Sequence, residues 1–143
     1  PPAIPEPDAG PGTALVWERF ELEGAVLAYR LDALATMSLQ ARCGRPVTSP
    51  ALLARHLVIG IPERTLRDGG PREIAGAPAW QQTFDARLEG RSVRIKTLTL
   101  VSAGCAYDLV LVAQADFESS EQAFDAWVES FALTRSESAG EAP

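Results

Sequence analysis

Basic residues are scarce in this sequence, and lysine is nearly absent. The 143 residues include 13 Lys and Arg against 19 Asp and Glu, which gives a net charge of −6, and Lys96 is the only lysine. A protein that holds nucleic acid needs clustered cations to neutralise the phosphates, and an anionic membrane surface makes the same demand. Because the arginines are scattered among acids, we expect no nucleic-acid partner and no direct binding to a membrane surface.

Long apolar runs are also missing. The longest run, Leu109 to Ala113, has the length of a strand and falls far short of the roughly 20 residues that a membrane-spanning helix needs. The sequence opens on Pro1-Pro2 without an initiator methionine. We therefore expect a processed chain whose export signal has been removed. Contact with a membrane is expected only through a removed N-terminal anchor.

The residue types that carry catalysis or bind metals are few. His56 is the only histidine, and the two cysteines do not form the paired short spacings of a structural zinc site. No Gly-x-Ser-x-Gly turn presents a serine nucleophile, and the glycine-containing turns match no phosphate-binding loop. We expect no enzymatic activity, no metal site and no cofactor. The alternative is hydrolase or thiol chemistry that uses His56.

The two cysteines, Cys43 and Cys105, leave three interpretations open. In an oxidising compartment they are expected to pair, whereas in the cytosol they would remain buried free thiols. A reactive or metal-bound thiol is the third interpretation. We favour the disulfide, which would close a loop of about 60 residues and contribute roughly 4 kcal/mol to stability.

The two ends of the chain differ in composition from the region between them. Residues 1–13 contain five prolines and two glycines, which is typical of a flexible tether. Residues 135–143 are polar and predict a disordered tail. The sequence between them, 14–134, predicts one folded domain.

The first half of this domain is predicted to contain strands and one helix. Strands are expected over 15–17, 25–31 and 37–42, the last two with apolar and polar residues in alternation. Ser49-Pro50 is typical of a helix start, so we predict a helix over about 50–61. Its buried face is predicted to consist of Leu52, Leu53, His56, Leu57 and Gly60. A polar loop with a Gly-Gly-Pro turn is predicted over 63–73.

The second half has the clearest patterns. Residues 80–89 and 92–101 alternate on either side of Glu89-Gly90, which predicts a β-hairpin. Residues 105–114 are apolar on both faces, as in a central strand. An apolar stripe at helical spacing predicts a helix over about 120–133, with a capping box at Ser119. The sequence thus predicts an α+β fold, an antiparallel sheet of about six or seven strands flanked by two helices.

Four residues are candidate binding groups: His56, Trp80, Tyr107 and Asp108. A single histidine on an apolar helix face is more often a hydrogen-bonded core residue than a ligand. Trp80 stands at a strand entrance, where it either packs on the sheet or forms a surface rim. Tyr107 and Asp108 share the strand that runs through CAYD. A buried Asp108 needs a donor, and the candidate donors are Arg30, Arg42, Arg94 and Lys96.

Several motifs together resemble a family of small bacterial envelope lipoproteins over residues 25–134. The motifs are TMSLQARC, LLARHLVIG, Gly76-x-x-Ala79, LEG, CAYD and FDAWVESF. The resemblance implies a cleaved signal and a lipidated cysteine ahead of the tether, and that cysteine is absent from this sequence. The order of elements is also similar to the Mog1/PsbP-like fold. Neither resemblance implies a known activity.

The leading functional hypothesis is a non-catalytic accessory domain in the bacterial envelope, in the periplasm or anchored to the outer membrane, that binds a protein partner. The first alternative is a small-ligand or lipid-binding module with a pocket between the sheet and the 50–61 helix. The second is a cytosolic regulator of the Mog1 type. The sequence carries no signal for an oligomeric state.

Overall fold

A computed structural model describes residues 17–31, 34–44, 49–61 and 63–141, with side chains through 132. The predicted tether, 1–13, and the predicted turn at Asp32-Ala33 lie outside the described residues. The sheet consists of β1 (Glu18–Arg19), β2 (Leu27–Leu31), β3 (Ala35–Cys43), β4 (Thr65–Ile74), β5 (Ala77–Leu88), β6 (Arg91–Ser102) and β7 (Cys105–Ala113). The helices are α1 (Pro50–Leu57) and α2 (Phe117–Glu141).

The seven strands form one antiparallel sheet in the order β1-β2-β3-β7-β6-β5-β4. The fold is therefore α+β, as predicted, and β7 lies at the centre of the sheet between β3 and β6. A central strand is covered on both faces, which explains why β7 is apolar on both. The predicted β5–β6 hairpin is also present, with its turn at Glu89-Gly90, where both residues have positive φ angles, 52° and 79°.

Strand alternation assigns the residues of the sheet to two faces. Phe84 is paired with Ile95, and Ile95 is paired with Val112, so these residues share the face that α1 covers. Leu98 and Leu109 are paired on the opposite face, which α2 covers. We call these the α1 face and the α2 face. Because each helix covers one face, the central strands are buried on both sides.

The main core lies between α2 and the α2 face. The predicted stripe of Phe124, Trp127, Val128 and Phe131 is confirmed, since all four side chains are buried. The helix is longer than the predicted 120–133. It begins at Phe117, ahead of the predicted cap at Ser119, and it continues to Glu141 through most of the predicted 135–143 tail.

The start of α1 was predicted correctly, but its end and its buried face were not. The Ser49 hydroxyl accepts a hydrogen bond from the Leu52 backbone N–H at 3.2 Å, and Pro50 is the first helical residue. The helix ends at Leu57 instead of continuing to 61. Its buried residue is Ala54, and Val58 just beyond is also buried, whereas His56 is exposed. Apolar residues surround this short helix, so their spacing did not identify the face that packs.

The predicted polar loop over 63–73 is wrong, because β4 occupies Thr65–Ile74. The strand pairs with β5 along most of its length, with an irregularity between Leu66 and Asp68. It lies at the edge of the sheet, and only Ile74 of its ten residues is buried. An edge strand that buries so little has no need for apolar alternation, which explains why the sequence pattern resembled a loop.

Candidate functional site

The two cysteines form a disulfide that joins β3 to the central strand. Cys43 and Cys105 stand directly opposite each other in the register, with their Cα atoms 4.2 Å apart. The bond closes a loop across 62 positions of sequence. Disulfides persist in oxidising compartments and are rare in the cytosol, so the bond indicates an extracytoplasmic location.

Asp108 is the centre of a buried polar cluster on the α1 face. Its side chain is only 1% exposed, and its Oδ2 accepts a hydrogen bond from Arg42 Nη2 at 2.7 Å. Its Oδ1 accepts a second hydrogen bond from the Thr99 hydroxyl at 2.9 Å. The prediction that a neighbouring arginine or lysine pairs with Asp108 is confirmed, and the partner is Arg42. These hydrogen bonds link β7 to both of its neighbours, β3 through Arg42 and β6 through Thr99.

Burial raises the pKa of Asp108 above its ordinary value, although the hydrogen bond from Thr99 and the charge of Arg42 act in the opposite direction. Between the unfolded and folded pKa values the folded state binds more protons than the unfolded state, so stability falls as pH rises through that window. We expect wild type to lose stability relative to Asp108→Asn as pH rises above the ordinary titration range of an aspartate. Urea denaturation of both proteins measures this difference, and a difference that is constant or of opposite sign would contradict it.

Trp80 lies in one row with this cluster but does not touch Asp108. On the α1 face the register aligns Trp80 on β5, Thr99 on β6 and Asp108 on β7. Two strand spacings, each about 4.8 Å, separate Trp80 from Asp108. The indole is half-buried, so Trp80 packs on the sheet and also reaches the surface, and the structure combines the two predicted environments.

Tyr107 lies on the other side of the sheet. It is buried on the α2 face, where its ring meets that of Phe131 edge-on with centroids 5.2 Å apart. Although it precedes Asp108 in sequence, strand alternation sends the two side chains to opposite faces. The structure therefore separates these two candidate residues and places Tyr107 in the main core.

His56 is on the exposed side of α1 and is not the core residue that the sequence predicted. Gln82 on the sheet below shows how the helix is seated: its Nε2 donates to the backbone oxygen of Ala54 at 2.8 Å. Ala54 and Val58 point inward, so the side chains on the opposite side of α1 point away from the sheet. His56 and the buried Asp108 consequently do not share a surface that one substrate could contact.

A second set of charged residues, on the α2 face, was missed by the sequence analysis. Asp85 accepts hydrogen bonds from Arg94 at 2.9 Å and from Arg67 at 2.7 Å. These bonds, with Arg94 contributing most, lower the pKa of Asp85. The buried Lys96 binds two carboxylates of α2, Glu121 at 2.9 Å and Asp125 at 2.8 Å.

Two open clefts border this charged cluster. They enclose about 560 and 540 Å³, and both are lined by Asp85, Arg94 and Phe117. The Arg94 guanidinium lies over the Phe117 ring, 5.3 Å from its centroid. Because the cations at these clefts are already paired with carboxylates, the cluster is internally neutralised and serves to dock α2 on the sheet.

Two kinds of feature are absent from the residues that the structure describes, a metal-ligand cluster and a membrane-spanning helix. Among them, no three His, Cys, Asp or Glu side chains converge as metal ligands. Within the same ranges, no helix combines the length and the apolar character needed to cross a bilayer.

Comparison with known proteins identifies a shared fold. No protein-family model and no curated protein matches the sequence. Cyanobacterial PsbP (CyanoP) from Synechocystis is similar in structure, with a TM-score of 0.57, 11% identity and coverage of 80% of this chain and 79% of that one. PA94, a protein of unknown function from Pseudomonas aeruginosa, has a TM-score of 0.54 at 18% identity, with 83% of each chain covered.

LpqN of Mycobacterium tuberculosis, described as involved in cell envelope biogenesis, has a TM-score of 0.48 at 22% identity, covering 94% of this chain and 79% of that one. The likeness to CyanoP and PA94 concerns the fold alone. The chain therefore has a PsbP-like fold.

Proposed function

We propose that this chain is a non-catalytic accessory domain of the bacterial envelope that binds another protein through the outer surface of α1. We define this docking surface as Leu52, Arg55 and His56 of α1 together with Ile59, two residues beyond the end of the helix. The disulfide supports an extracytoplasmic location. The proposed binding surface rests on the exposure and charge of α1.

The observation that carries the proposal is the exposure of apolar side chains on the outer side of α1. Leu52 is 38% exposed and Ile59 is 66% exposed, although Ala54 and Val58 between them are buried against the sheet. Leu66 on β4 is 59% exposed and is paired with Phe84, which places it on the same side of the sheet. Exposed apolar side chains that lie on one side of a domain are typical of a protein interaction site.

The charge of this region indicates the chemistry of the partner. The sequence from Ser49 to Ile61 contains no acidic residue, and its ionisable side chains are Arg55 and His56. On the opposite side of the sheet, α2 carries Glu118, Glu121, Asp125 and Glu129. In a chain with a net charge of −6, the α1 surface is thus apolar and basic. It fits a partner protein whose surface combines apolar and acidic side chains.

The ligand-binding alternative has less support from the geometry. A pocket between α1 and the sheet requires space beneath the helix, yet Ala54 and Val58 are buried there and Gln82 bonds directly to the helix backbone. The two clefts beside Asp85 have no α1 residue in their lining. These contacts favour a helix that is seated on the sheet and binds through its outer side.

Photo-cross-linking in the envelope tests this proposal. A benzophenone amino acid at Leu52 or Ile59 is expected to give a covalent adduct with the same protein, because both side chains face the partner. Adding Arg55→Glu is expected to reduce the adduct several-fold, since a like charge then faces the partner's acids. Benzophenone at Gln122, exposed on α2, is the matched control. Adducts from Gln122 alone, or equal adducts from all three positions, would contradict the proposal.

A further inference from the structure

One edge of the sheet is long, exposed and chemically self-complementary. In the described chain, β4 pairs only with β5, so its other side presents backbone N–H and C=O groups that no strand covers. The opposite edge, β1, is only two residues long. A long exposed edge strand is a template for pairing with another strand. The sequence of β4 indicates which strand would fit.

The charges of β4 are arranged symmetrically about Gly70. When the strand is read against a second copy in the antiparallel direction with Gly70 opposite Gly70, Asp68 of each copy faces Arg72 of the other. Opposite charges directly across an antiparallel pair stabilise it, and like charges destabilise it. The alignment thus creates two opposite-charge pairs, each between Asp68 of one copy and Arg72 of the other.

The side chains of the central pair also lie on the correct face. Asp68 is opposite Thr83 and Arg72 is opposite Ala79 on β5, which places both on the α2 face. A twofold axis perpendicular to the sheet keeps the α2 faces of both copies on the same side. The carboxylate of one copy and the guanidinium of the other can therefore meet, with Cβ atoms about 5 Å apart.

The two charged groups are available for this contact. The Asp68 carboxylate makes no hydrogen bond or ion pair with the residues that the structure describes. Arg72 donates from Nη1 to the Gln81 side chain at 2.6 Å. A guanidinium has five N–H donors, so the others remain available for a carboxylate.

The backbone near the axis allows close approach. Gly69 and Gly70 carry no side chains that would keep two strands apart, and a Cβ added at Gly70 would meet no atom within 4 Å. Pro71 lacks an N–H, so each Gly69–Pro71 pair makes at most one hydrogen bond. The irregularity between Leu66 and Asp68 limits regular pairing at one end. The contact is therefore short and centred on residues 68–72.

We propose that two copies of this chain associate edge to edge through antiparallel β4 strands, with Gly70 on the twofold axis and Asp68 of each copy paired with Arg72 of the other. The result is a continuous sheet of fourteen strands, twice the seven of one chain. This self-association goes beyond the binding proposed for α1 and does not depend on it.

Charge exchange within β4 tests the proposal. Sedimentation over a concentration series is expected to show a reversible dimer for wild type. Asp68→Arg alone, or Arg72→Asp alone, is expected to weaken the dimer about 10-fold, because each creates two like-charge pairs. The double variant Asp68→Arg/Arg72→Asp is expected to restore the wild-type dissociation constant. Both positions are exposed, so melting temperatures should remain unchanged.

Engineered cysteines test the register. Gly70→Cys is expected to form a covalent dimer on mild oxidation, because the two thiols meet at the axis at a separation that a disulfide can span. Gly69→Cys is the matched control, since its two copies are displaced by about 7 Å along the strand. Arg55→Glu on α1 is expected to leave the dimer unchanged, which separates this result from the test of the docking surface.

Three results would overturn the proposal. The first is a wild-type protein that stays monomeric up to about 1 mM. The second is a double charge variant that associates no better than the single variants. The third is equal cross-linking by Gly69→Cys and Gly70→Cys.

Discussion

Replacing both Cys43 and Cys105 with serine is expected to lower the free energy of unfolding by about 4 kcal/mol. The disulfide closes a loop across 62 positions. A cross-link across a loop of this length reduces the conformational entropy of the unfolded chain much more than that of the folded one. The bond also lies where β3 ends and the central strand β7 begins, so its loss allows that end of the sheet to fray. Urea denaturation at neutral pH measures the change.

Reduced wild-type protein is the control for this variant. Treatment with a thiol reductant under non-denaturing conditions is expected to give the same loss as the double substitution, because both remove only the cross-link. A double variant as stable as oxidised wild type would show that the native protein does not rely on this bond.

Trp127→Ala is expected to cost about 3–5 kcal/mol of unfolding free energy, the range for truncating a fully buried aromatic side chain. Trp127 is 1% exposed at the centre of the core beneath α2. Its ring meets Tyr29 edge-on at 5.9 Å and Phe124 at 6.3 Å between centroids. Alanine would leave a cavity that these neighbours cannot fill without leaving their rotamers.

Trp80→Ala is the matched control for this second prediction. It removes the same side chain from a half-buried position on the α1 face, so less apolar surface and a smaller cavity are involved. We expect a loss well below that of Trp127→Ala in urea denaturation. Equal losses for the two variants would place the main core elsewhere than between the sheet and α2.

The elements predicted best from sequence are those whose packing leaves a periodic signal. The β5–β6 hairpin has one strongly apolar face and a Glu89-Gly90 turn, so both register and turn were readable. The stripe from Phe124 to Phe131 likewise determines which side of α2 is buried. Edge strand β4 buries almost nothing, so its sequence of charges and glycines carried no such signal. The short α1 is apolar around most of its circumference, and its contacts with the sheet alone determine the face that packs.

The buried cluster shows a different limit of sequence reasoning. An acid in an apolar strand had to find a donor, and that much followed from the cost of an unpaired buried charge. Four cations were candidates, and only the register that pairs Gln40 with Asp108 brings Arg42 within reach. The bond of Asp85 with Arg67 required the position of β4 as well, which the sequence had not revealed, whereas Arg94 is directly opposite Asp85 in the β5–β6 hairpin.

The two proposed contacts are compatible within one assembly. A twofold axis perpendicular to the sheet would place both α1 docking surfaces on the same side of the joined sheet. Two linked surfaces bind a multivalent or repeated partner more tightly than one, because the second contact forms at a high effective concentration. Weak self-association through β4 would thus strengthen docking through α1 without any change in either surface.

We infer that the chain functions outside the cytosol, with Cys43 and Cys105 oxidised to a disulfide. Thiol trapping in the cells that produce it tests this claim directly. The full-length protein is denatured in acid and labelled with a mass-shifting maleimide before or after reduction. We expect no label on Cys43 or Cys105 before reduction and a label on both afterwards. Two labelled thiols before reduction would contradict both the disulfide and the extracytoplasmic location.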